Sequence, residues 1–126
     1  MGQPAAKQGD QITAMDEHTV IVQGAPTKLP FPFAGVINGG LSTDVNIDGK
    51  PAAVVGSTAD NNPPHVAAGI KFVTEPSNKA TIQAGSATVN INGKSAARHG
   101  DKATTCSEGT QPAGTVNVVS STVVIG

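Results

Sequence analysis

Apolar and polar residues alternate in two similar stretches of the chain. In VNIDG, Val45 and Ile47 alternate with Asn, and in VNING the same holds for Val89 and Ile91. An alternation with a period of two residues is typical of a β-strand with one buried face. Each stretch ends in Asp-Gly or Asn-Gly, pairs that favour a tight hairpin turn because both residues tolerate φ > 0. The pattern therefore predicts two β-hairpins.

The two predicted hairpins belong to a longer repeat. The segments VNIDGKPAAVVGSTA (residues 45–59) and VNINGKSAARHGDKA (residues 89–103) align without a gap. A third, shorter copy, QPAAKQGDQIT (residues 3–13), lacks the preceding strand, and we expect the alternating segment GTVNVVSSTVVIG (residues 114–126) to take its place. The unit X-A-A-x-x-G thus occurs three times. Its small Ala pairs suit the close approach of backbones where three repeats converge.

The segment between the first two repeats has the marks of a loop. In QGAPTKLPFPFAGVINGGLSTD (residues 23–44), two prolines flank Phe31 and Gly39-Gly40 follows. This composition predicts an extended loop rather than a strand or a helix. No window of the chain shows a sustained period of 3.6 residues. The sequence therefore predicts a small all-β, pseudo-threefold fold of hairpin repeats with long loops.

Length and charge limit the classes of protein to consider. The 126 residues fit a single domain, residues 1–126. The net charge of −1 and the scattered basic residues argue against a nucleic-acid-binding face. No stretch is apolar for the roughly 18 residues that a membrane span needs. The start, MGQPAAKQGDQIT, lacks the basic and apolar regions of a secretory signal, so we expect a protein made in the cytoplasm that leaves by another route.

Aromatic residues and cysteines are few. A single cysteine excludes an internal disulfide. Trp and Tyr are absent, which disfavours a carbohydrate-binding module, and the aromatic residues are Phe31, Phe33 and Phe72. A core of Val, Ile and Ala is thin, and small cores are often supplemented by a metal ion or a partner. We expect Phe31 and Phe33 to anchor their loop in the core rather than to form a partner-binding patch.

Three imidazoles and one thiol are available to bind a metal: His18, His65, His99 and Cys106. Together they make up a complete tetrahedral set for zinc, which accepts both N and S donors. His99 and Cys106 are close enough for one turn to present both, whereas His65 follows two prolines and His18 lies between a turn and a strand. From the residues alone a plainer alternative stays open, with solvated histidines and a buried thiol.

The carboxylates give weaker indications of a functional site than the histidines and the cysteine. Asp16, Glu17 and Asp101 are expected to be solvated turn residues, with a supporting role behind a metal ligand as the alternative. Asp101 follows Gly100, closes the return strand of its repeat and can bond backbone amides beyond that strand. Glu17 is the one candidate base for a zinc hydrolase, but it points to the opposite face of a strand from His18. A Cys106 nucleophile with His99 as its base is the other enzymatic alternative.

Several motifs, in order, resemble the PAAR-repeat family, which is named for a Pro-Ala-Ala-Arg motif. They are KPAAVVGSTA, PPH, GSATVNINGKSAARHGD and ATTC. The resemblance covers nearly the whole chain. Each copy of the tetrapeptide is imperfect: it reads PAAK at 4–7, PAAV at 51–54 and SAAR at 95–98.

The resemblance implies both a fold and a function. PAAR-repeat proteins are similar in forming a small three-sided β-cone that caps the trimeric β-helical spike of type VI secretion systems and related contractile injection machines. One structural zinc ion lies near the apex, and carried over to this chain its ligands would be His18, His65, His99 and Cys106. The partner would be a valine-glycine-repeat or phage-spike-like trimer. The implied role is structural, not enzymatic: to sharpen the spike, help it pierce a membrane, dock effector cargo and leave the cell on firing.

Overall fold

The computed structural model describes residues 2–67 and 69–126, and its regular elements are strands. In chain order they are β1 Gln3–Pro4, β2 Gln11–Val22, β3 Ala25–Gly39, β4 Asn46–Ile47, β5 Lys50–Pro51, β6 Thr58–Asn61, β7 Lys71–Phe72, β8 Lys79–Ile82, β9 Asn90–Ile91, β10 Lys94–Ser95, β11 Lys102–Thr104, β12 Gly114–Asn117 and β13 Val124–Ile125. The described residues contain no helix that could cross a membrane. The all-β prediction is confirmed. The predicted single domain includes Met1 and Ala68, which lie outside the described residues, and stays a prediction.

Six strands close into an antiparallel barrel. Their order is β2-β3-β6-β8-β11-β12, and β12 returns to pair with β2. The short β7 pairs with the far end of β2, at Val20 and Ile21. The barrel is filled by large buried side chains: Ile12, Phe33, Ile37, Ile82 and Val116. Closure leaves the six strands without a free edge where they pair, and the interior is just wide enough for side chains to fill it.

A long hairpin of β2 and β3 stands where the sequence predicted an extended loop. Every residue of β2 pairs with β3, and Gln23 and Gly24, with φ of 50° and 79°, form the two-residue turn between them. The loop prediction for residues 23–44 is therefore wrong over Ala25–Gly39.

The prolines of β3 are compatible with a strand because they all lie on one side of it. Ala34 donates its backbone N–H to the Asn61 side chain, on the edge away from β2. In a strand, residues two apart direct their N–H groups to the same edge. Three prolines share the even parity of Ala34: Pro26, Pro30 and Pro32. Their missing N–H groups face the outer edge, so the ladder to β2 stays intact.

Three small hairpins form the pseudo-threefold end of the molecule. Two of them are β4–β5 and β9–β10, whose turns at Asp48-Gly49 and Asn92-Gly93 have positive φ at both residues, as predicted. The third is formed by β1 and β13, with Gln3 opposite Ile125. The C-terminal segment thus takes the place of the strand that the first repeat lacks, and this prediction is confirmed.

The Ala pairs meet where the three repeats converge, and all six alanines are fully buried. Ala6 donates its N–H to the carbonyl of Ala97, Ala97 donates to Ala53, and Ala53 donates back to Ala6, each over 3.0 Å. This ring of hydrogen bonds has one donor and one acceptor from each repeat. The pseudo-threefold relation in the sequence is therefore also present in the structure, because each repeat bonds to the next through the same backbone contact.

Each repeat also closes its return turn in the same way. A side chain accepts the N–H of the residue three positions earlier: Asp10 from Lys7, Ser57 from Val54 and Asp101 from Arg98. Asp101 is only 6% exposed and forms an ion pair with Arg98 at 2.9 Å. The expectation of a solvated Asp101 is therefore wrong. Asp101 does accept a backbone N–H, but from Arg98 within its own turn and not from a residue beyond the return strand, as the sequence suggested.

Candidate metal centre

Asp16 and His18 lie side by side on the inner face of β2. The even positions of this strand point inward, as the fully buried Ile12 and Val20 show, and Asp16 and His18 are 0% and 1% exposed. Glu17 between them is exposed, as the opposite-face argument predicted. The expectation of a solvated Asp16 is wrong because it lies on the buried face of a long strand and not in a turn.

Two loops complete the cluster. His65 follows β6 and Cys106 follows β11, and their ligand atoms lie with those of Asp16 and His18 within 4.8 Å of one another. His65 Nε2 is 2.9 Å from Asp16 Oδ2, and Cys106 Sγ is 3.3 Å from the same oxygen. Cys106 Sγ also lies 3.6 Å from His18 Nε2. The structure thus brings together three of the four predicted residues and adds Asp16.

His99 does not join this group. It is exposed at the pseudo-threefold end, where its N–H donates to the carbonyl of Pro4 and its Nδ1 accepts the N–H of Val118. Strand β11 runs between His99 and Cys106 and carries the two residues apart. The idea that one turn presents both is therefore wrong, and the fourth donor residue of the cluster is Asp16.

The donor set fits a zinc ion. Two imidazole nitrogens, one sulfur and one carboxylate oxygen are all zinc ligands, at about 2.0–2.3 Å from the metal. Tetrahedral geometry at those lengths separates the donor atoms by about 3.3–3.8 Å. Three of the donor–donor separations, 2.9, 3.3 and 3.6 Å, are close to this range, and all four donor atoms lie within 4.8 Å of one another. Four protein donors correspond to a closed, structural type of site.

A connected hydrogen-bond network holds Asp16 and His65. The side-chain oxygen of Asn61 accepts the backbone N–H of Ala34. The side-chain nitrogen of Asn61 therefore faces His65 Nδ1, at 3.2 Å. The His65 proton therefore lies on Nε2 and is donated to Asp16. Thr105 and Cys106 donate to the same carboxylate. A cation held by Asp16, His65 and Cys106 would take the place of the thiol proton, which loading would release, whereas the His65 proton would have to move from Nε2 to Nδ1.

Glu108 contacts His18 on the side away from the cluster. Its Oε2 lies 3.3 Å from His18 Nδ1, and its Oε1 accepts the backbone N–H of Thr19. Burial opposes ionisation of Glu108, but the hydrogen bonds from Thr19 and His18 outweigh this effect and lower its pKa. Nothing in the sequence pattern singled out Glu108. The one signal that could have found it is its place in the chain, two residues after the candidate ligand Cys106.

All three phenylalanines of the chain surround the two histidines. Phe31 lies 5.7 Å from His18 and 5.6 Å from His65 between ring centroids, Phe72 lies 5.8 Å from His18, and Phe33 lies 6.0 Å from His65. Phe33 is part of the core, as expected, whereas Phe31 is a half-buried wall of the cluster. Such an apolar shell limits access of water and fixes the ring orientations.

The thiol does not have the properties of an activated nucleophile. Burial, together with the neighbouring Asp16 carboxylate, raises the pKa of Cys106 to about 11. The thiolate is the nucleophilic form of cysteine, and a reactive cysteine has a lowered pKa that populates this form at neutral pH. Cys106, His18 and Glu108 do stand in the order of nucleophile, base and orienting carboxylate. The cleft of about 320 Å³ next to the cluster, however, is lined by His65, Phe31 and neighbouring prolines and not by Cys106.

Comparison with known proteins gives one family. The model of the PAAR motif matches residues 33–107, which is more than half of the chain. The matched range contains the second and third repeats together with His65 and Cys106, and β2 with Asp16 and His18 lies before it. No curated protein matches the chain.

Proposed function

The chain belongs to the PAAR motif family, whose members are structural spike-tip proteins of secretion systems, and we propose that it caps the trimeric β-helical spike of a contractile injection machine. The observation that carries this proposal is the ring of hydrogen bonds through Ala6, Ala53 and Ala97. It gives one chain three equivalent faces. A threefold trimer can therefore be covered by a single copy with matching contacts on each side.

Three outward strand edges support this mode of docking. In each small hairpin, an alanine N–H donates to a carbonyl of the opposite strand. The pairs are Ala52 to Val45, Ala96 to Val89, and Ala5 to Val123. The residue that follows each of these three valines directs its own backbone N–H and C=O groups away from the hairpin. These residues are Asn46, Asn90 and Val124, and all three are exposed. One strand from each subunit of the trimer would extend these edges.

A structural zinc ion is the second part of the proposal. We assign its ligands as Asp16, His18, His65 and Cys106, so that Asp16 replaces His99 in the set predicted from the sequence. The four residues belong to β2 and to the loops after β6 and β11. A closed metal site would bind these three segments together where the narrow barrel offers little apolar area to bury.

A small hydrolase is the alternative from a different class, and three observations oppose it. Four protein donors leave no position for a water molecule on zinc, and Glu17 points away from the cluster. Without zinc, the raised pKa keeps the Cys106 thiol protonated at neutral pH. Rapid alkylation of Cys106 at neutral pH in the folded protein would favour the enzyme instead.

Binding to the spike can be tested at the outward edges. Asn46→Pro removes one outward N–H, and Asn46→Ala is the matched control because it removes the side chain and keeps that N–H. We expect Asn46→Pro, alone or with Asn90→Pro, to weaken co-purification with the spike trimer while Asn46→Ala does not. Equal retention of all variants, each verified as folded by circular dichroism, would remove the edge-pairing proposal.

The remaining parts of the role stay predictions. They are production in the cytoplasm, delivery on firing, membrane piercing and the docking of effector cargo. The segment Leu29–Phe33 is part of β3, and its Phe31 packs against both histidines of the cluster.

A further inference from the structure

We infer that Glu108 is a positioning residue for the metal centre: it fixes the ring of His18 so that Nε2, and not Nδ1, faces the ion. This inference rests on the proposed zinc site. The observation behind it is the pair of contacts on the two sides of one imidazole. His18 Nδ1 lies 3.3 Å from Glu108 Oε2, and His18 Nε2 lies 3.6 Å from Cys106 Sγ.

The tautomer of His18 follows from these contacts. An ionised carboxylate only accepts hydrogen bonds, so the proton of a neutral His18 ring lies on Nδ1 and is donated to Glu108. Nε2 then carries the lone pair and directs it into the cluster. A histidine that binds a metal through one nitrogen commonly donates its other N–H to a carboxylate, which sets the tautomer and strengthens the ligand.

The carboxylate itself is held in place. Its second oxygen accepts the N–H of Thr19, and the Glu108 N–H donates to the carbonyl of Glu17 over 2.8 Å. The Glu17 N–H in turn donates to the hydroxyl of Ser107. These bonds join the loop to the free edge of β2 between its pairings with β12 and β7. Glu108 therefore cannot move without a change in backbone contacts.

The loop is also rigid on its other side. Gln111 donates its side-chain N–H to the carbonyls of Thr105 and Ser107, and its oxygen accepts the N–H groups of Thr105 and Ala113. Cys106 and Glu108 are thus presented by one closed turn. A single segment supplies a proposed ligand and the group that orients another ligand from a different strand.

His65 shows by contrast what Glu108 adds. An amide nitrogen of Asn61 faces its Nδ1, so the His65 proton lies on Nε2 and points into the cluster. Of the two histidines, only His18 is prepared to bind a cation without first moving a proton. We therefore expect a substitution of Glu108 to lower the zinc affinity strongly and to change the stability of the metal-free chain little.

The test uses three variants of the full chain. Glu108→Ala removes the acceptor, Glu108→Gln keeps an oxygen acceptor without the charge, and Glu17→Gln removes the same charge from an exposed neighbouring position. We measure zinc affinity by chelator competition, the visible spectrum of the Co²⁺-loaded protein, thermal unfolding without metal, and the His18 tautomer from long-range ¹H–¹⁵N correlations.

The inference predicts a graded result. Zinc affinity falls about 10–100-fold in Glu108→Ala, falls less in Glu108→Gln, and is unchanged in Glu17→Gln. Metal-free Glu108→Gln unfolds like the wild type, and the His18 proton moves from Nδ1 toward a mixture in Glu108→Ala. Wild-type affinity in Glu108→Ala, or a wild-type His18 protonated at Nε2, would overturn the inference and leave the zinc proposal standing. A wild-type chain that binds no zinc would overturn both.

Discussion

His18 Nε2 lies 3.6 Å from Cys106 Sγ, although 88 positions separate the two residues in the chain. The contact depends on barrel closure, because β12, which follows the cysteine loop, returns to pair with β2. Asp16, on the same face of β2, touches Cys106 and His65 as well. The cluster therefore forms only when the barrel is complete, and a metal bound there would stabilise the closed fold.

Asp16 and His99 can be distinguished as ligands by substitution. In Asp16→Asn we expect the zinc affinity to fall by more than the roughly 10–100-fold that loss of an outer partner costs, because a ligand itself is impaired. In His99→Ala we expect zinc affinity to stay within about twofold of the wild type, since distant sites act independently. The measurement is chelator competition on both variants.

Thermal unfolding gives a control for this comparison. Zinc at about 1,000 times its Kd should stabilise the wild type by about 4 kcal/mol. His99→Ala should keep this gain even if its metal-free stability is lower, because the N–H of Val118 loses an acceptor. A gain lost in His99→Ala and kept in Asp16→Asn would reverse the assignment.

The pH dependence of the metal-free protein should follow the Cys106 thiol. Its pKa in the fold is raised from an ordinary 9.0 to about 11. Between these values the unfolded chain has lost the thiol proton and the folded chain keeps it. Stability should therefore fall as pH rises from about 9 through 11. The fall should be absent in Cys106→Ser. Denaturant titrations across this pH range check it, and a thiol half-ionised below pH 9 in the folded state would contradict it.

The centre of the pseudo-threefold end should not accept larger side chains. Ala97 is fully buried in the ring of hydrogen bonds, and Ala97→Val adds two methyl groups to a close-packed site. We expect a loss of about 1–3 kcal/mol in the free energy of unfolding. Ala87→Val, at an exposed position two residues before that repeat, is the control and should change stability by less than about 0.5 kcal/mol. Equal effects would contradict the packing argument.

The parity of prolines in β3 gives a matched pair of variants. Thr27 and Lys28 are adjacent and both exposed. Lys28→Pro places a proline on the outer edge, like those already present, and should be tolerated. Thr27→Pro removes an N–H that faces β2 and should cost about 1–3 kcal/mol. Denaturant unfolding measures both, and a Thr27→Pro variant as stable as Lys28→Pro would show that the ladder does not reach this position.

Local patterns in the sequence predicted the repeating end of the molecule. Asp48-Gly49 and Asn92-Gly93 determine their turns through backbone preference alone, and the Ala pairs indicate close approach. Residues 114–126 could be matched to the missing strand because the repeat showed what was absent. These features depend on neighbours in the chain, and so a single sequence contains them.

The long hairpin and the full site depended on information that local composition does not carry. Prolines in β3 suggested a loop because their effect depends on which edge of the strand pairs. Had β2 been recognised, the inward alternation through Ile12, Asp16, His18 and Val20 would have placed Asp16 beside His18. His99 lies apart from the cluster because β11 carries Cys106 away from the pseudo-threefold end. Only tertiary structure shows that separation.

The most direct test of the account is the stoichiometry of the complex with the spike. The chain is mixed with the proposed partner, a trimeric β-helical spike protein, and the assembly is weighed by native mass spectrometry. The account predicts one copy of the chain per spike trimer, because its three repeats cover all three subunits. Three copies per trimer, or no complex with a folded trimer, would contradict it.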